Sequence, residues 1–373
     1  MRLGLPIITS LCLICACSEP LPFEPAGPDA APDPSEYGPY AVGVRTIEVK
    51  DPRRFDPVTR VPRTLTVEVW YPAEGSERGV ENYPFEDFLP ERFAELARTL
   101  GGFESTAERD APARTDEDFP LVLFSHGSGG VRVQSTFLTV HLASHGYVVA
   151  APDHVGNTLS DLLNDGSLDL QKLGESLIDR PLDLLALIED VTEQFSVDPT
   201  RIGTSGHSFG GVASLRAAGL DERITAVVSQ APASHLATWL DVPRPFESLG
   251  IPIMIQEAVN DDTVPPETNA RTFVPLMRDP GYYLSLTRGG HFTFSDLCQL
   301  DVEVLLAAED IGVDDILNDG CSETDIPVEV AHPLLRHYSI GLFNTYLRGS
   351  SATKDLLMDE AALRGEATLQ ADF

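Results

Sequence analysis

Three residues could do chemistry together on type and order alone: Ser208, Asp261 and His291. Ser208 is the centre of Gly206-His207-Ser208-Phe209-Gly210, a G-x-S-x-G run. A serine hydroxyl attacks poorly until a neighbouring base takes its proton. A sharp strand-to-helix turn is one way of presenting such a hydroxyl, and it leaves no room for side chains on either flank. Gly206 and Gly210 meet that demand. The run alone is a weak signal, since a glycine-rich turn capping a helix would look the same.

His291, in Arg288-Gly289-Gly290-His291-Phe292, would supply the base. The alternative for a histidine after two glycines is a capping or solvent-facing residue. An acid to orient the imidazole stands in Asn260-Asp261-Asp262-Thr263-Val264-Pro265. Asp261 leads because Val264 and Pro265 follow three and four residues later; Asp262 is the rival. The order serine, aspartate, histidine is that of α/β-hydrolases. Developing negative charge on a carbonyl oxygen needs backbone donors. The N–H of Phe209, just after the nucleophile, is one. The turn Ser125-His126-Gly127-Ser128-Gly129-Gly130 offers the second, at Ser128. His126 reads as a residue shaping that turn, and His207 as one packed under the elbow.

The elements that must position these residues alternate along the chain. Val42–Val49 and Leu65–Tyr71 alternate apolar and polar residues and predict a half-buried hairpin, with Asp51–Arg63 as its loop. Residues 73–119 read as an acidic insertion with one amphipathic helix around Pro90–Leu100, either a lid or pocket wall or a surface helix packed on the sheet. Pro120–Ser125, Tyr147–Ala151, the Ile202 run, Ile224–Ser229, Ile251–Glu257 and Tyr282–Thr287 are apolar runs suited to strands buried on both faces. Helices are expected over Val133–Ser144, Pro181–Phe195 (with the proline in its first turn), Val212–Ala218, Thr268–Met277 and His332–Arg348. Tyr282–Thr287 reads as the last strand. The pattern predicts an α/β protein: a mostly parallel twisted sheet, helices on both faces, and an antiparallel N-terminal edge.

The chain has 373 residues, 42% of them hydrophobic, and a formal net charge of −32. That charge argues against a nucleic-acid partner and against electrostatic attraction to anionic lipid. Met1-Arg2 followed by the apolar Leu3–Cys15 reads as an export signal. Ile14-Cys15-Ala16-Cys17 resembles a bacterial lipobox, which makes residues 1–16 a signal peptide and Cys17 the lipidated first residue of the mature protein. An ordinary secretory signal cleaved nearby is the alternative. By resemblance to bacterial lipoproteins, Ser18 after the cysteine implies the outer membrane, facing periplasm or cell surface, with the membrane met through the lipid anchor only. Residues 17–39, rich in Pro, Ala, Asp and Gly, read as a disordered tether. The catalytic domain would then span 40–350, with a C-terminal tail at 351–373. With Cys12 and Cys15 removed and Cys17 lipidated, Cys298 and Cys321 are the remaining pair in an oxidising compartment. They predict a disulfide stapling a loop at 292–330, worth about 3 kcal/mol in the chain-entropy model. Asp161, Asp165 and Asp169 do not fit a calcium loop and read as solvated, so no metal is expected.

With these residues placed, the chain resembles the bacterial branch of the platelet-activating-factor acetylhydrolase-like esterases. The resemblance rests on Gly38–Gly43, Val67–Ala73, Leu123–Gly127, Asp153–Thr158, Asp179-Arg180-Pro181, Gly206–Gly211 and Gly290-His291-Phe292. It implies an α/β-hydrolase fold, no cofactor, and hydrolysis of carboxylic esters including short acyl groups of phospholipids. Ser208, His291 and the donors at Ser128 and Phe209 carry over. One departure stands out. The animal enzymes take their acid after the strand that follows the elbow helix, where this chain has Ser229-Gln230-Ala231-Pro232 and no carboxylate. Asp261 instead resembles the acid of dienelactone hydrolases and of polyester-cleaving cutinases. The reading is a monomeric, membrane-tethered serine esterase acting on a small or lipid-like ester. A cutinase-like polyester hydrolase or lipase is the runner-up, and a peptidase stands further off. An inactive surface lipoprotein that binds lipid or a partner is the reading from another class.

Overall fold

Two alternating stretches open the fold. They form strands β1 (Ala41–Phe55) and β2 (Pro62–Ala73), paired antiparallel from Ala41↔Ala73 to Asp51↔Arg63. The expected loop at Asp51–Arg63 is therefore shorter than its charges suggest. Asp51 is buried and accepts from the Arg53 N–H and the Arg54 guanidinium, so the charged residues pair and the strands run on. This is a computed structural model, and it describes residues 32–55, 60–75, 78–166, 170–233, 243–300, 318–371 and 373. The export signal, Cys17, most of the tether and Asp169 lie outside the described residues.

The insertion follows as β3 (Glu81–Pro84), α1 (Ala94–Leu100), β4 (Gly102–Ser105) and β5 (Glu108–Arg109). β3 and β4 make a small sheet of their own, and β5 joins β1 at the edge of the main sheet. The buried Trp70 indole N–H donates to the buried Tyr83 hydroxyl at 2.9 Å, pinning the small sheet to β2.

The alternating part comes next: β6 (Phe119–Ser125), α2 (Thr136–Ser144), β7 (Val148–Pro152), α3 (Leu159–Asp165), α4 (Leu170–Gln194), β8 (Val197–His207), α5 (Phe209–Leu220) and β9 (Ile224–Gln230). Then come β10 (Ile253–Ala258), β11 (Gly281–Leu286), α6 (Val328–Tyr346), α7 (Ser351–Leu357) and β12 (Ala367–Ala371). The main sheet runs β12-β11-β10-β9-β8-β6-β7-β2-β1-β5. Its centre, from β7 to β11, is parallel, and β1, β2 and β12 lie antiparallel to their inner neighbours. Successive residues of β6 feed opposite cores: Val122 and Phe124 pack with α2 and α6, Leu121 and Leu123 with α4 and α5. This is the expected doubly covered α/β sheet, with an antiparallel N-terminal edge.

Four expectations change. α4 begins eleven positions before Pro181 and carries that proline inside it. Its apolar stripe of Leu184, Leu187, Ile188 and Val191 packs on the sheet, which outweighs one missing backbone hydrogen bond. Thr268–Met277 is no helix but two short turns, Ala270–Thr272 and Val274–Leu276, because Pro275 has no N–H with which to continue one. α6 starts at Val328 and carries Pro333 near its beginning. Tyr282–Thr287 is not the last strand. β12 pairs antiparallel with β11, so the supposed tail closes the sheet edge; its Ala367, Leu369 and Ala371 alternate with Thr368 and Gln370.

Candidate active site

The geometry at Ser208 follows from close packing of backbone. A Cβ on Gly210 would lie 2.0 Å from the Ser125 carbonyl oxygen, and one on Gly206 would lie 2.5 Å from that of Gly210. Only glycine lets β8, α5 and the end of β6 approach so closely. Ser208 between them adopts φ 58° and ψ −121°, strained for a non-glycine residue and held by its N–H to the Gln230 carbonyl at 2.8 Å.

Ser208, His291 and Asp261 meet above the carboxyl ends of β8, β11 and β10, where open α/β sheets place their sites. Ser208 Oγ is 2.9 Å from His291 Nε2, and His291 Nδ1 is 2.8 Å from Asp261 Oδ2. The other Asp261 oxygen accepts the Val264 N–H at 2.6 Å. All three residues are buried. Burial pushes the Asp261 carboxyl above its usual range, against the pull of His291 and the Val264 N–H. Asp262, the rival acid, faces solvent, with its backbone N–H toward Asp319.

The turn after β6 brings its backbone to the same place, with Gly127 packed against Ser208 and His207. The Gly127 N–H is taken by Gln134 Oε1 at 2.8 Å, that of Gly129 by Asn157 O at 3.3 Å and that of Gly130 by Gly127 O at 3.1 Å. Among the described residues, no acceptor takes the Ser128 N–H of this turn. Phe209 opens α5, where a backbone N–H has no acceptor within the helix. His126 is fully buried, donates from Nδ1 to Gly127 O at 2.7 Å and accepts the His154 N–H at Nε2; burial holds its pKa far down. His207 donates from Nε2 to the His291 carbonyl at 3.0 Å and accepts the Gln134 amide at Nδ1. Both histidines are buried and tied by their ring nitrogens to the loops of the site, His126 entirely inside and His207 at the floor of the cavity over Ser208.

Several supporting residues escaped the sequence reading. Arg180 is fully buried, donates to the carbonyls of His126, Gly127 and Asn157, and lies 5.3 Å above the Phe209 ring. Ser125, His154 and Asp183 repeat the serine–histidine–aspartate order, at 2.8 Å and 3.0 Å, but all three are fully buried. This second chain meets no substrate; it ties β6 to α4. Burial works against the Asp183 charge, yet hydrogen bonds from Arg63 and His154 hold its carboxyl below the usual range. Gln134 and Asp319 bond the backbone of the site loops. Asp296, five residues after His291, accepts the N–H groups of Thr136 and Phe137 at the start of α2. The one available signal for these was the polar character of residues inside otherwise apolar segments. The disulfide between Cys298 and Cys321 is present.

A cavity of about 330 Å³ opens over Ser208 and His291, with a predominantly apolar wall. Phe85, Phe88 and Phe103 of the insertion form one side, and Leu159, Leu162 and Leu163 of α3 another. The helix expected near Pro90–Leu100 packs its Phe93 and Ala97 against Leu163 rather than against the sheet. The insertion is thus a pocket wall.

Residues 33–161 match the family described as platelet-activating factor acetylhydrolase, isoform II. The platelet-activating factor acetylhydrolase of Canis lupus familiaris is 28% identical over 196 residues, 42% of this chain and 44% of that enzyme. Cutinase est1 of Thermobifida alba is 24% identical over 182 residues, 48% of this chain and 55% of the cutinase. The chain thus spans about half the length of these curated relatives. A ferulic acid esterase from Streptomyces cinnamoneus superposes with a TM-score of 0.70 at 25% identity, over 89% of this chain and 96% of that one. The order of strands, the elbow at Ser208 and that superposition make this an α/β-hydrolase fold. Residues 110–303, just over half of the chain, match the family described as PET hydrolase-like, and the protein belongs to that family.

Proposed function

We propose that this chain hydrolyses carboxylic esters through an acyl-enzyme on Ser208. The observation that carries the reading is the continuous hydrogen-bonded line from Ser208 Oγ through His291 to Asp261, at 2.9 and 2.8 Å, opening into an apolar cavity. His291 Nε2 takes the Ser208 proton as Oγ attacks the ester carbonyl. The N–H groups of Phe209 and Ser128 receive the oxyanion; each such donor is worth about 3 kcal/mol of transition-state stabilisation. His291 then protonates the leaving alcohol, and water, deprotonated by the same imidazole, releases the acid. Asp261 holds the Nδ1–H tautomer and steadies the imidazolium. No step calls for a metal or a cofactor.

The apolar wall of Phe85, Phe88 and Phe103 supports an apolar acyl or alcohol group, as in short-acyl or phospholipid-like esters. The likeness to a cutinase supports a polyester-cleaving activity as the second reading. Hydrolysis of p-nitrophenyl esters from acetate to palmitate, with Ser208→Ala as control, tests both. A maximum at acetate and butyrate supports the acetylhydrolase-like reading. Activity sustained to long chains supports the cutinase-like one. Absence of Ser208-dependent turnover at every length overturns the esterase proposal. Anchoring through Cys17 in the outer membrane belongs to the same proposal, supported by the Ile14–Cys17 pattern. Palmitate labelling of the parent protein, lost in Cys17→Ala, is its expected result.

A further inference from the structure

The two loops that carry His291 and Asp261 share a carboxylate belonging to neither. Asp319 is buried, two residues before the disulfide-bonded Cys321. Its Oδ1 accepts the His291 N–H at 2.7 Å, and its Oδ2 accepts the Thr263 N–H at 2.7 Å and the Thr263 hydroxyl. The Asp262 N–H approaches Oδ1 at 3.4 Å, and the Asp319 carbonyl accepts the Phe292 N–H at 2.9 Å. The contact tolerates no extra atom. A Cβ on Gly290 would come within 2.4 Å of both Asp319 Oδ1 and Gly320 N.

We propose that Asp319 is a positioning residue of the hydrolytic site, setting His291 against Asp261 by holding the backbone of both loops, with the Cys298–Cys321 disulfide keeping it in place. Bonds from N–H groups to an ionised carboxylate are short and strong, and their loss would leave buried donors unpaired. A displacement of one ångström at reacting groups costs about a hundredfold in rate. The carboxylate itself does not face the nucleophile, so its effect falls on turnover and not on substrate affinity.

The inference rests on the serine-esterase reading, and its test separates the two. In Asp319→Ala, kcat for p-nitrophenyl butyrate should fall about a hundredfold with KM nearly unchanged. Asp319→Asn keeps one acceptor oxygen and the shape of the side chain, and should recover part of that loss. Asp325→Ala is the comparison. Its carboxylate braces the same segment through the N–H groups of Gly320 and Ser322 and touches neither site loop, so kcat should hold while stability falls. The low-field proton resonance of the His291–Asp261 hydrogen bond reads the geometry without any turnover. It should shift or vanish in Asp319→Ala and stay in Asp325→Ala. An unmoved resonance overturns the proposal whatever the rate, and so do equal losses of kcat in the Asp319→Ala and Asp325→Ala variants. If Asp319→Ala does not fold, Asp319→Asn is read by the same resonance, with the same meaning. If the parent protein shows no Ser208-dependent turnover, the esterase reading fails and the resonance still decides the positioning.

Discussion

The oxyanion side of the site and its acid–base side are held by opposite means. Under the oxyanion turn lies the interior of the fold. Arg180 and Asp183, both fully buried on α4, fasten the carbonyls of the turn and His154 from below. The loops of Asp261 and His291 instead lean on a segment outside the sheet, anchored by a disulfide and by Asp319. A central turn can borrow rigidity from charges whose separation would be costly in a low dielectric. A peripheral segment has no core to borrow from, and a covalent closure does the same work by limiting the unfolded chain. Gln134, His207 and Asp296 join the two sides, linking Gly127 to the His291 carbonyl and the His291 loop to the start of α2.

The comparison breaks first at Arg180. Arg180→Ala strips the guanidinium from three interior carbonyls, of which those of Gly127 and Asn157 keep a backbone donor, and should cost about 3–5 kcal/mol, read by denaturant unfolding. A loss below about 1 kcal/mol would mean that water replaces the guanidinium and that the core is not the brace.

Next come two effects of about 3 kcal/mol. The Cys298→Ser, Cys321→Ser double variant should lose roughly that much stability, and mild reduction of the parent should lower turnover before the fold melts. Full turnover in the reduced, folded protein would leave the disulfide without a role at the site. Asp296 tests the joint. Burial pushes its carboxyl up to about 6 from an ordinary 3.8, so the folded state binds this proton more tightly than the unfolded chain. Its contribution to stability is full below about pH 4 and is lost as the pH rises through about 6, a change of about 3 kcal/mol. Asp296→Asn should remove that slope, and the difference between variant and parent in unfolding free energy is measured from pH 4 to 7. Parallel curves would refute the shifted carboxyl.

The smallest effect belongs to Gln134. Gln134→Ala frees the Gly127 N–H and leaves His207 Nδ1 without its donor, at a cost of about 1–2 kcal/mol. Turnover should drop about tenfold in the folded variant, beyond that loss of stability. An effect on stability alone would assign Gln134 to the fold and not to the joint between the two sides.

The site was legible where chemistry restricts residue type. Ser208 needs small neighbours, His291 and Asp261 stand at the ends of apolar strands, and a run such as Pro120–Ser125 admits few places but the middle of a sheet. Pairing of Cys298 with Cys321 followed from counting cysteines. Harder to read were residues acting through the backbone of distant loops. An aspartate such as Asp319, one of several acidic residues between Asp314 and Asp325, is indistinguishable from a solvated one until the chain folds, and Gln134 is as hard to tell from a surface glutamine.

Order along the chain and local periodicity therefore determined the α/β architecture, the nucleophile elbow and the sequence of serine, acid and base, because each depends on short-range sterics and burial. The tertiary structure decided that Asp261 and not Asp262 faces the imidazole, since one side chain points inward and its neighbour to solvent. It decided that the insertion walls a cavity with Phe85, Phe88 and Phe103, and that the final residues close the sheet as β12. Those outcomes rest on contacts between segments far apart in the chain, and no local pattern carries them.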